Sequence, residues 1–219
     1  MKMRLDKFLT ELSPGSRSEV KKWIRQKKVQ VNGQTVIKPE EKIDPDEDQV
    51  ILDGIRLVYC QYEYFMLNKP SGYISATTDS EHPVVLDLIT EQHRKGLFPA
   101  GRLDIDTEGL LLITNDGELS HRLLSPRHHV DKTYLVRVQG QVTPEDCKIL
   151  EQGMDIGDEK LTLPAVVEGV HTVLSEPDLC ELTLTIREGR YHQIKRMFGR
   201  LGKPVVYLRR LRMGSLVLD

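Results

Sequence analysis

The chain has 219 residues, room for one large domain or two small ones. With 39% hydrophobic and 29% charged residues it is neither a wholly disordered chain nor a low-complexity fibre. Its 31 Lys+Arg against 33 Asp+Glu leave a formal charge of -2, which as a total argues against a polyanionic partner.

The distribution of that charge reverses the argument. Residues 1–38 carry ten Lys/Arg and three Asp/Glu, a net of +7, and residues 187–212 carry nine and one, a net of +8. The acids lie mainly in between, with seven against one Lys in residues 39–53. Charges more than about 8 Å apart are screened at physiological salt, so each basic block acts on its own. Cys60, Cys147 and Cys180 are odd in number and far apart, with no CxxC pair. No disulfide framework or zinc site is expected, and a reducing cytoplasm fits best. No stretch approaches the roughly 20 apolar residues of a membrane span, and no export signal is expected.

Leu5, Phe8, Leu9 and Leu12 recur at helical spacing up to a breaker at Ser13-Pro14-Gly15. Ser16 and Glu19 read as a capping box opening a second helix, with Val20, Trp23 and Ile24 on its apolar side. Lys21, Lys22, Arg25 and Lys28 lie around the other side. Segments 29–31 and 35–37 flank Asn32-Gly33-Gln34, a strong hairpin signal. After an acidic stretch, residues 49–54 read as the last strand of this module. The boundary is expected near Cys60, giving domains 1–60 and 61–219. From Tyr64 onward, strands at 64–67, 110–114, 132–138, 182–186 and 205–208 alternate with short helices, the pattern of an α+β domain on a mixed sheet.

Three blocks bear chemistry. In residues 99–117, Arg102, Asp104, Asp106 and Glu108 precede a purely apolar strand, which anchors a polar loop rigidly. Two extended carboxylates at 104 and 106 share a side and suit Mg²⁺ or paired acid/base work, although adjacent Arg102 competes with a metal. For Asp106 the favoured reading is a polar turn in which Asp106 and Thr107 satisfy backbone groups. In residues 125–138 the alternation puts Tyr134, Val136 and Val138 on one face, so Tyr134 is expected to be buried with a hydroxyl partner. In residues 186–200 a strand ends at Gly189 and a helix begins near Tyr191, carrying Lys195 beside an apolar stripe of Ile194, Met197 and Phe198. A lysine drawn inward there requires a carboxylate.

Taken together, these blocks resemble the RsuA family of pseudouridine synthases, the branch that modifies ribosomal RNA, over nearly the whole chain. MRLDKFL (3–9), SRSEVKKWI (16–24) and VQVNG (29–33) are similar to an S4 RNA-binding domain. NKPSGY (68–73), GRLDIDTEGLLLITNDG (101–117), KTYLV (132–136) and EGRYHQIKRM (188–197) are similar to the family's catalytic motifs in order. The resemblance implies an S4 (α-L) domain followed by a catalytic domain with a mixed, mainly antiparallel sheet flanked by helices. It implies isomerisation of a uridine without cofactor or metal, and SPRHHVDKTYLV (125–136) turns the expected target toward small-subunit (16S) ribosomal RNA, free or in an assembling particle. The family usually continues beyond its VxLD strand, whereas this chain stops at Asp219.

Carried over by position, Asp104 is the catalytic aspartate and Tyr134 the tyrosine that stacks on uracil. Lys195 is expected to form with Asp104 a pair of buried charges. Arg102, Lys69, Arg190, Arg196 and Lys132 are expected to bind substrate, with Arg102 near the vacated base position. Arg4, Arg17, Lys21, Lys22, Arg25 and Lys28 are the RNA-contact set of the S4 module. A monomer is expected. The competing readings are a synthase acting on large-subunit RNA, a noncatalytic S4-type assembly factor, and a phosphodiesterase using Asp104 and Asp106 with a metal.

Overall fold

The computed structural model describes residues 2–90 and 96–218. It divides into two compact units, Met1–Glu63 with Ile89–Leu97 and Tyr64–Leu88 with Phe98–Asp219.

The first unit runs β1 (Met3–Arg4), α1 (Leu5–Leu12), α2 (Arg17–Arg25), β2 (Val29–Val31), β3 (Gln34–Thr35), β4 (Lys42–Ile43), β5 (Val50–Leu52) and β6 (Ile55–Leu57). The four apolar residues of α1 form one buried stripe, which meets Val20 and Ile24 of α2 and Val29, Ile43 and Val50 of the strands in a single core. The capping box is present: the Ser16 backbone N–H donates to Glu19 Oε2 at 2.7 Å, and the Glu19 N–H is directed at Ser16 Oγ at 3.4 Å. The hairpin is tighter than expected. Asn32 and Gly33 both take left-handed conformations (φ 51° and 77°), so pairing resumes at once with Val31 opposite Gln34, and the second arm is 34–35 rather than 35–37. A second such pair, Asp53 and Gly54 (φ 48° and 83°), folds β5 onto β6. The module therefore does not end with residues 49–54; the Asp-Gly dipeptide was the overlooked signal.

The second unit runs β7 (Tyr64–Lys69), β8 (Phe98–Ala100), β9 (Glu108–Thr114), α3 (Gly117–Leu124), β10 (Lys132–Gln139), α4 (Pro144–Gln152), β11 (Val166–Val173), β12 (Glu176–Ile186), α5 (Gln193–Arg200), β13 (Val205–Met213) and β14 (Leu216–Val217). The sheet order is β11-β12-β10-β13-β9-β7, with β8 also on β9 and β14 on β13. The β9–β13 pairing is parallel and the others are antiparallel, a mixed and mainly antiparallel sheet. α3, α4 and α5 pack against β8, β11 and β13. β9 is buried from Gly109 to Thr114, flanked by β7 on one side and by β8 and β13 on the other, as its unbroken apolar run requires.

β10 alternates instead. Lys132, Tyr134, Val136 and Val138 face inward beside Leu182, Leu184 and Ile186 of β12 and Leu208 and Arg210 of β13. The opposite face is polar: Arg137 Nε donates to Glu181 at 2.6 Å, and the Tyr207 hydroxyl donates to Glu108 at 2.8 Å. β12 and β13 extend beyond the expected 182–186 and 205–208, and β8, β11 and β14 were not expected. The cause is composition: 176–181 lacks clean alternation, Gly169 interrupts β11, and Arg209, Arg210 and Arg212 disguise a strand as a basic run.

Candidate functional site

The 101–107 loop connects β8 to β9 and is braced from beneath. Lys69, at the end of β7, is fully buried (0% exposed), and its Nζ donates to the carbonyl oxygens of Thr107 (2.8 Å), Asp104 (3.0 Å), Pro70 (3.1 Å) and Ile105 (3.2 Å). Ser75 Oγ accepts the Leu103 N–H and donates to the Leu103 carbonyl, both at 2.9 Å, and the Gly72 N–H donates to Ile105 O at 2.8 Å. NKPSGY is thus a cradle for the loop, and the expectation that Lys69 meets substrate is corrected, because backbone carbonyls surround its ammonium. Burial lowers its pKa to about 8 despite the nearby carboxylates of Asp106, Asp104 and Glu108. Replacing Lys69 by Met keeps the stem and strands the carbonyls. Thermal unfolding of Lys69→Met should show a loss of about 2 kcal/mol, and wild-type stability would remove the brace.

Above the brace, Lys195 Nζ lies 2.6 Å from Asp106 Oδ1 and 3.1 Å from Asp104 Oδ2. Two expectations are corrected here. The Asp104 and Lys195 side chains are each 27% exposed, so the pair is only partly sheltered. Asp106 is also no mere turn residue; the loop folds back, with the Thr107 N–H on Asp104 O at 3.1 Å, and aims both carboxylates at one ammonium. Nor does Thr107 satisfy the backbone, since its Oγ1 is buried without a partner among the described residues. Burial pushes the Asp106 carboxyl up, but the hydrogen bond and charge of Lys195 outweigh it and leave the pKa lowered. Burial likewise lowers Lys195, while the bonds to Asp106 and Asp104 raise it on balance.

His192 supplies a third contact, Nε2 to Asp104 Oδ1 at 3.4 Å, from a left-handed conformation (φ 47°) just before α5. Its ring stacks on Tyr191 with centroids 3.8 Å apart and planes at 19°. A non-glycine residue held at positive φ beside a carboxylate marks strain at a site. Burial of Ile194, Met197 and Phe198 anchors α5 so that Lys195 projects toward the loop.

Arg102, Asp104, Lys132, Tyr134, Arg190, His192, Lys195 and Arg210 line one cavity of about 820 Å³. Arg102 is exposed, without an ion-pair partner among the described residues. Tyr134 is buried as expected, but its hydroxyl has no partner among the described residues, so the side chain ends at the cavity. Lys132 is buried and donates to Val130 O at 2.9 Å. Arg190 and Arg196 depart from expectation. Arg190 donates to Lys160 O and Leu161 O, each at 2.6 Å, and to Glu188 at 3.0 Å; Arg196 donates to Ile156 O at 2.6 Å and pairs with Asp158. Both guanidinium groups strap down the 156–161 segment instead of being free for RNA.

In the first unit, Arg17, Lys21, Lys22 and Arg25 are exposed along α2, whereas Arg4 is tied to Asp6 and Lys28 to Asp53, each at 2.8 Å. His192 and Arg210 were not singled out for the site from the sequence. The strand alternation of Leu208 and Arg210 carried a signal for the second, and nothing local foretold the turn at His192.

The profile of the RNA pseudouridylate synthase family matches residues 63–199, and that of the S4 domain matches residues 3–50. The chain is 46% identical over 218 residues to the uncharacterized RNA pseudouridine synthase YtzG of Bacillus subtilis (strain 168), covering 99% of this chain and 90% of that one. It is 44% identical over 219 residues to ribosomal small subunit pseudouridine synthase A of Escherichia coli (strain K12), covering 99% and 91%. Among solved structures, a crystal structure of a pseudouridylate synthase superposes with a TM-score of 0.64 at 39% identity, covering 99% and 91%.

Proposed function

Because the chain belongs to the RNA pseudouridylate synthase family, we propose that it isomerises a uridine of small-subunit ribosomal RNA to pseudouridine, with Asp104 as the catalytic carboxylate. The observation that carries this reading is the placement of Asp104, 3.1 Å from Lys195 in the cavity that also holds Tyr134. The target follows from the 44% identity to the small-subunit enzyme of Escherichia coli.

The reaction breaks the C1′–N1 bond, turns the uracil and joins C1′ to C5, so atoms and electrons balance without cofactor or redox partner. Lys195 aims Asp104, His192 limits its rotation, and Tyr134 offers a ring for the base to stack on. A base within folded RNA must first leave its stack, at roughly a few kcal/mol. Arg102, exposed at the cavity, is the residue to occupy the space the base leaves. The substrate is ribosomal RNA, free or in an assembling particle; the protein works as a monomer in the cytoplasm. No helix among the described residues is long and apolar enough to cross a membrane.

Pseudouridine mapping of small-subunit RNA, incubated with and without the protein, tests reaction and target together: one new site is expected, and none, or one only in large-subunit RNA, overturns the proposal. The S4 module supplies phosphate contacts through α2. Replacing Lys21, Lys22 and Arg25 by Gln should weaken RNA binding and reduce the slope of log K against log salt by about two, at roughly 0.7–0.9 per phosphate contact. An unchanged slope would show that this face is only solvated.

A further inference from the structure

We propose that Lys132 and Arg210 form a cationic floor that stabilises the uracil ring as an anion while it is detached from the ribose, an inference that rests on the isomerase reading above. Arg210 stands directly opposite Tyr134 in the β10–β13 ladder, and Lys132 lies two residues along β10 on the same face. Both are buried, Arg210 at 2% and Lys132 at 7% exposure, and both line the cavity that contains Asp104.

Buried charges are ordinarily paired. Among the described residues neither of these cations has a carboxylate within ion-pair distance. Arg210 Nε donates to Leu110 O at 2.7 Å and Lys132 Nζ to Val130 O at 2.9 Å, while Arg210 Nη2 is buried with no partner. Burial, and after it the charge of Arg210, lowers the pKa of Lys132. Asp131, whose charge opposes this, is engaged by Arg187 at 3.1 Å. Two like charges held together under a cavity are electrostatic free energy that an arriving anion releases.

The isomerisation generates that anion. When the C1′–N1 bond breaks, its electron pair leaves with uracil and spreads over O2 and O4. C1′ is completed either by a bond to the Asp104 carboxylate or by loss of its neighbouring 2′ proton to a base. After rotation the C5–C1′ bond forms from the ring's electrons as the C1′–Asp104 bond breaks or as the 2′ proton is returned, and the C5 proton departs to a carboxylate or to water while N1 takes one up. Asp104 offers the ring no positive charge, and Lys195 is already engaged by Asp104 and Asp106. Among the described residues the floor is the remaining buried source of positive charge beside Tyr134. Lys132 supplies donors to the ring, and Arg210, whose Nη2 is sealed from solvent, is a positioning residue acting through Lys132 and Tyr134.

The test has two arms. In single-turnover reactions on small-subunit RNA, Lys132→Gln and Arg210→Gln, each checked by thermal melting and assayed below its own transition, should detach the base about a hundredfold more slowly with RNA affinity within threefold. On RNA transcribed with 5-fluorouridine the deficit should shrink at least tenfold, because fluorine itself stabilises the departing anion. An equal deficit on both RNAs, or none, overturns the floor. The second arm uses the unaltered protein, so it stands even if both variants fail to fold. The ring proton of 5-fluorouracil, followed by ultraviolet absorbance, should titrate at least one pH unit lower with saturating protein than without it; no shift, or an upward one, overturns the proposal. Absence of pseudouridine with unaltered protein would instead sink the isomerase reading, and the two failures are distinct.

Discussion

Replacing Asp104 by Asn should lower pseudouridine formation by at least about a thousandfold while leaving RNA affinity and melting temperature near wild type. The substitution keeps the shape of the side chain and removes its charge. Lys195 loses one of two anionic partners but retains Asp106 at 2.6 Å, so the ammonium is not stranded and the loop keeps its brace from Lys69. This makes the variant a clean probe of chemistry, unlike Lys195→Met, which would leave two carboxylates facing each other. Counting pseudouridine in small-subunit RNA after a fixed incubation gives the rate, and a filter or anisotropy titration gives the affinity. Turnover within tenfold of wild type would exclude Asp104 as the reacting group. It would also revive the reading of an S4-type assembly factor with no chemistry of its own.

The largest loss of stability is expected at Gly109, where β9 and β13 run parallel. Its φ of +99° is costly for any residue with a Cβ, and a Cβ built there would lie 2.8 Å from the nitrogen and 2.9 Å from the carbonyl carbon of Arg210, and closer still to the carbonyl oxygen. Backbone rather than a mobile side chain blocks the space, so relief requires parting β9 from β13. Gly109→Ala should cost about 4 kcal/mol, strain plus overpacking, and lower the melting temperature by roughly 10 °C in a chain of this size. Gly33 provides the control: at φ +77° with open space around it, Gly33→Ala should cost about 1–2 kcal/mol from strain alone. If the two variants melt together, the close approach at Gly109 carries no weight.

Local signals made the first unit readable. The heptad-like spacing of Leu5, Phe8, Leu9 and Leu12, the Ser16–Glu19 box and the Asn-Gly turn act within a few residues, and the structure contains each of them. The Asp104–Lys195 contact was reached through the resemblance, because 91 positions separate the two residues and no periodicity links them. Roles of isolated cations were the weak point. Lys69, Arg190 and Arg196 look from sequence like solvent-facing or RNA-facing charges, yet backbone carbonyls consume them, and the position of a carbonyl oxygen is a product of the fold. Arg210 was obscured differently. A run of three arginines within four residues reads as surface, although strand alternation with Leu208 places this one inside.

The brace at Lys69 has a use in observing motion. Its amine is wholly enclosed, so a reagent reaches it only once the loop has opened and the burial that lowers its pKa is relieved. Its rate of acylation by a small reagent is therefore limited by how often the 101–107 loop lifts away from its cradle. A single lysine thus serves as a chemical clock for opening of the loop that carries Asp104, readable by mass spectrometry without any added label.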